Sequence, residues 1–156
     1  MTQEQLEIVI NELTKKVPNN DGLLDSCRNK MKNHKKIGDA ISEARGALSN
    51  FDEGISISRD NHYQLSNRIA YTWKLASMGI PTILLYLGFL NDPTWIADGD
   101  HFENKNSWSE FIGNNFSMVG AKGLLEKREI VLPNGVSAYF IEGSVECIQV
   151  SNRSIV

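Results

Sequence analysis

The 156-residue chain is 41% hydrophobic and 22% charged, proportions of an ordinary globular domain that leave out the disordered and fibrous classes. Its length holds one core comfortably and two poorly, which predicts a single domain over residues 1–156. A net charge of −3 and an isoelectric point near 5.6 argue against indiscriminate phosphate binding and leave a local basic patch as the route to nucleic acid.

The longest apolar run, residues 79–90, is far short of the roughly 20 residues that cross a bilayer as a helix. The N-terminus carries early acidic residues and no small-residue cleavage site, so it does not read as a secretory signal. A cytoplasmic protein without a membrane span is expected. Cys27 and Cys147 are too few and too widely spaced for a disulfide framework or a zinc knuckle, and both read as free thiols.

Thr2 and Gln5 fit a capping box, and Leu6, Val9, Ile10, Leu13 and Val17 follow at helical spacing. The breakers in residues 18–22 end that helix by about Lys16. Arg28, Lys30, Lys32, Lys35 and Lys36 then fall within nine positions, with His34 and no acid among them. Ile37, Ile41, Ala44 and Leu48 predict a second helix over about 35–48. Residues 50–60 are polar, with short extended structure possible around Ile55 and Ile57.

Residues 62–90 organise the rest. Leu65, Ile69, Trp73 and Ala76 share one apolar helix face, while Gln64, Asn67, Arg68 and Tyr71 form a hydrogen-bonding stripe beside it. Gly79 and Pro81 stop the helix at about Met78. The nearly unbroken apolar run of residues 82–90 predicts a strand covered on both faces. Residues 98–106 have loop composition, and Ser107 with Glu110 predicts a helix from near Trp108 that includes Phe111 and Ile112 and meets Gly113, Asn114 and Asn115 early. Residues 129–132 and 136–141 flank an Asn-Gly turn and predict a β-hairpin, with a further strand over 145–150. The expected fold is α/β: a small sheet with a buried central strand at about 82–90 flanked by helices, and a C-terminal hairpin.

For chemistry, Glu103-Asn104-Lys105 matches the Asp/Glu-x-Lys pair of divalent-metal nucleases, with Asp92, Asp98 or Asp100 as the upstream acid, but no strand pattern surrounds it. Asp98, Asp100 and Glu103 are also the candidate metal ligands, although their spacing departs from a calcium loop. The three histidines show no metal-binding spacing, no nucleophile elbow is present, and glycine-rich phosphate loops are absent. The candidate nucleic-acid contacts are therefore Arg28, Lys30, Lys32, Lys35, Lys36, Gln64 and Arg68.

The segment YQLSNRIAYTWKLASMGIPTILLYLGFLND, followed by Gly99-Asp100-His101-Phe102 and by Trp108, resembles the C-terminal half of a bacterial family that looks related to the PD-(D/E)XK nuclease superfamily. The resemblance runs from about Lys35 to Trp108. It implies that Gln64 and Arg68 lie on the accessory helix beside that superfamily's active site. The resemblance also implies an upstream Glu-Ala-Lys-like strand, where this chain instead has IVINELTKK, with Glu12 and Lys15 one residue too far apart. A nuclease-like accessory or nucleic-acid-binding module without a self-contained catalytic motif is thus expected. The alternatives are a magnesium- or manganese-dependent nuclease with a non-standard or partner-completed site, and a protein-interaction or inhibitory module.

Overall fold

A computed structural model describes residues 21–96 and 101–147. The predicted helix over 2–16, with Glu12 and Lys15, lies outside the described residues, as do Asp98 and Asp100. The chain divides into two compact units, Met1–Asp39 and Ala40–Val156. In the first, the described backbone is helical from Asp21, so the basic residues sit within a helix rather than before one. Helix α1 spans Asp21–Leu48, and its last turns belong to the second unit. There Ile41, Ala44 and Leu48 are buried, as their spacing predicts.

The second unit is built on helix α2, Tyr63–Ser77, and strand β1, Thr82–Leu90. Leu65, Ile69, Trp73 and Ala76 form the buried face of α2. Its end is closed in the Schellman manner: the Gly79 N–H donates to Ala76 O at 3.0 Å and the Ile80 N–H to Leu75 O at 3.1 Å. Gly79 takes φ 92° there, a left-handed conformation that a residue with a Cβ adopts at a cost. The stop near Met78 was in the sequence, and Gly79 acts there as expected.

Among the described residues the sheet has three strands in the order β1–β3–β2, with β2 spanning Glu129–Val131 and β3 spanning Ser137–Glu146. β1 pairs in parallel with β3, Thr82 opposite Ala138 and Leu90 opposite Glu146, while β2 and β3 form the predicted antiparallel hairpin. One expectation is corrected: among the described residues β1 is an edge strand, and β3 occupies the centre. The covering of β1 is one-sided too. Ile83, Leu85, Leu87 and Phe89 are exposed, whereas Gly88 and Leu90 on the opposite face are buried. An apolar run satisfies a strand's alternation on either face, so it could not reveal that one face lacks cover. Of the separate strand expected over 145–150, Val145 and Glu146 instead end β3, and residues 148–150 lie outside the described residues.

A short helix, α3 (Pro93–Ile96), follows β1 and leads towards the residues before α4. Helix α4 spans Lys105–Met118. Its N-cap is Asn104, whose Oδ1 accepts the Ser107 N–H at 3.0 Å, and it continues through Gly113, Asn114 and Asn115. Trp108, Ile112 and Phe116 recur at i, i+4 and i+8 and are all buried, so packing outweighs the weak helix propensity of that tripeptide. Helix α5, Lys122–Lys127, leads into β2. Ile55 and Ile57 are buried although no sheet ladder includes them, and the Ser56 N–H donates to Val119 O at 2.8 Å. Among the described residues, no helix is long and apolar enough to cross a membrane.

Candidate functional site

On the covered face of the sheet, the N-terminal half of α2, Tyr86 of β1 and the middle of α4 enclose a cleft of about 430 Å³. α2 contributes Tyr63, Gln64 and Arg68; α4 contributes Trp108, Phe111 and Asn115. Their placement follows from periodicity. Gln64 and Arg68 are one helical turn apart, and Trp108, Phe111 and Asn115 fall at i, i+3 and i+7. Tyr86 points into the cleft because even-numbered β1 residues face the helices.

The aromatic walls are organised among themselves. Tyr86 meets Phe116 edge to face with centroids 5.7 Å apart, and Trp108 stacks on Phe111 at 6.0 Å. Phe102 packs against both Trp108 and Phe111. Arg68 lies at the polar side. Its guanidinium carbon is 5.8 Å from the Tyr86 ring centroid, Nη1 donates to Tyr86 Oη, and Nη2 donates to Gln64 Oε1, both at 3.4 Å.

Those two hydrogen bonds are long, and both acceptors are neutral. Among the described residues no carboxylate pairs with Arg68, so its charge is available to an anion. The N-terminus of α2 adds to the positive potential, because His62 provides no side-chain cap and the first turn holds no acid. Trp108 Nε1 is buried without a hydrogen-bond partner. The arrangement favours a ligand that combines a planar apolar group with negative charge.

The structure brings Gln64 and Arg68 together, while Asn67 and Tyr71 are exposed and do not line the cleft. Lys30, Lys32, Lys35 and Lys36 are exposed on α1 in the first unit, where Arg28 also lies. Glu103 and Lys105 sit at a loop-to-helix junction: the Glu103 carbonyl accepts the Asn91 side-chain amide at 3.0 Å, and Lys105 opens α4. Among the described residues, no three His, Cys, Asp or Glu side chains converge to hold a metal ion. Cys147 is a free thiol whose pKa is raised by desolvation and further by the Asp92 and Glu146 carboxylates, the opposite of nucleophile activation. Cys27 lies in the helical first unit.

Trp108, Phe111, Asn115 and Tyr86 were not read as site residues from the sequence. The spacing of the three α4 residues carried the signal, which the Gly-Asn-Asn tripeptide concealed. Together, fold and cleft define a mixed α/β protein with an aromatic, arginine-bearing cleft. No known protein family matches the chain, and neither a curated protein nor a solved structure matches it.

Proposed function

We propose that the chain is a nuclease-related nucleic-acid-binding module without a self-contained catalytic centre, acting in the cytoplasm and seating an unpaired base in the cleft. The observation that carries this reading is the Arg68 guanidinium, unpaired with any described carboxylate, at the mouth of a cleft walled by Tyr63, Tyr86 and Phe111. A base stacked on an aromatic wall gains about 1–3 kcal/mol, and a guanidinium matches the adjoining phosphate. Gln64 and Asn115 supply hydrogen-bonding groups for base edges. The exposed lysines of α1 provide further phosphate contacts in this reading.

Fluorescence anisotropy of the full chain with labelled single- and double-stranded oligonucleotides, at low salt and with and without magnesium, tests the proposal. Preferential single-strand binding, weakened about tenfold or more by Arg68→Ala and by Phe111→Ala, is expected. Neither substitution removes a buried side chain, and circular dichroism checks the fold. Absence of binding, or binding that both substitutions leave unchanged, overturns the proposal. Magnesium-dependent cleavage lost in Glu103→Gln would instead establish the nuclease alternative.

A further inference from the structure

The sheet face opposite the cleft is apolar, and none of the described residues covers it. Register places Ile83, Leu85, Leu87 and Phe89 of β1 beside Tyr139, Ile141, Gly143 and Val145 of β3, with Val131 of β2 on the same side opposite Ser137. The eight β1 and β3 positions contain no charged residue; Glu129, opposite Tyr139, stands at the far β2 edge. Ile83 is 62% exposed and Phe89 57%. Leu85, Leu87, Val131 and Val145 are also exposed. Such a patch is at the upper end of what a monomer leaves open, where patches are often functional, and its charge pattern decides what fits it.

We propose that this face is the interface for a second copy of the chain, the two sheets packing face to face about a two-fold axis. An identical face offers the same uncharged stripe, so copies related by the axis meet no like charge at the β1 and β3 positions. The six exposed side chains present roughly 600 Å² per copy, near the lower range around the ~800 Å² per partner of a standard interface. An interface at the low end of the standard size range is that of a weak, reversible dimer. Stacked sheets pack about 10 Å apart, with side chains of the two inner faces interdigitating. The cleft lies on the other face of the sheet and is left open by this arrangement.

Sedimentation velocity on the full chain, from about 1 µM to about 100 µM, tests this. The mass should rise with concentration from the 17.5 kDa of one chain toward twice that value. Leu85→Lys and, separately, Phe89→Lys should weaken association at least about 100-fold, because each brings like charges into a shared apolar interface. Both positions are exposed within one chain, so far-UV circular dichroism should be unchanged. Tyr71→Lys, which alters an exposed aromatic on α2, should leave association intact. A chain that stays monomeric to the highest concentration overturns the proposal and leaves the face to a different protein or another segment of the chain. Dimerisation unaffected by either β1 substitution overturns it as well.

Discussion

The Trp108 indole lies directly over the backbone of Gly88, in space that a side chain would fill. A Cβ at Gly88 would stand 2.5 Å from Trp108 Cδ2 and 2.7 Å from Cε2. The glycine is therefore required by close approach: it lets α4 sit down on β1 and fixes one wall of the cleft. Gly88→Ala should displace the indole and lower unfolding free energy by about 1–3 kcal/mol, the usual cost of overpacking a core. Urea denaturation followed by circular dichroism measures this. Gly143→Ala is the control, because its Cβ would meet only Leu87 Cδ1 at 3.9 Å and Leu85 Cδ1 at 4.0 Å, both ordinary contacts. Equal effects at the two positions would contradict the packing account.

Asp52 ties the segment after α1 to the start of α5 across 71 residues of sequence. Its Oδ2 accepts the Gly123 N–H at 3.0 Å, and its Oδ1 accepts the Gly54 N–H at 3.1 Å. α5 has no cap from its own flanking residue, so the carboxylate satisfies an early helix donor from outside the helix. Asp52→Ala should cost about 1–2 kcal/mol in the same denaturation measurement. Asp52→Asn, which keeps one acceptor, should fall between the two. A variant as stable as the parent would show that water replaces the carboxylate without loss.

The clearest parts of the fold in the sequence were those governed by local chemistry. The α2 face of Leu65, Ile69, Trp73 and Ala76, the Gly79 stop and the Asn-Gly hairpin each rest on residues within a few positions of one another. Less legible were features decided by distant partners. Nothing local says that β3, with Glu142, Gly143 and Ser144, takes the sheet centre while the more apolar β1 takes the edge. The same limit applies to the cleft. Gln64 and Arg68 were visible as an i, i+4 pair, but their meeting with Tyr86 depends on how α2 lies across β1. The role of Phe111 and Asn115 depended on α4 continuing past Gly113, which the burial of Ile112 and Phe116 secures.

Salt dependence separates the basic residues of α1 from the cleft. Lys32, Lys35 and Lys36 are exposed and fall at i, i+3 and i+4, sharing one helix face. If all three neutralise phosphates, association releases the counterions those phosphates had condensed, and affinity falls steeply with salt. The triple substitution of Lys32, Lys35 and Lys36 to glutamine should then reduce the slope of log affinity against log salt by roughly two units for a single strand. Arg68→Ala should remove about one unit and, in addition, lose affinity that high salt does not abolish, because the guanidinium also lies against the Tyr86 ring. Anisotropy titrations at four or more salt concentrations read both quantities. An unchanged slope in the triple variant would take α1 out of the interface. Loss of the slope with Arg68→Ala alone would place the whole electrostatic contribution at the cleft.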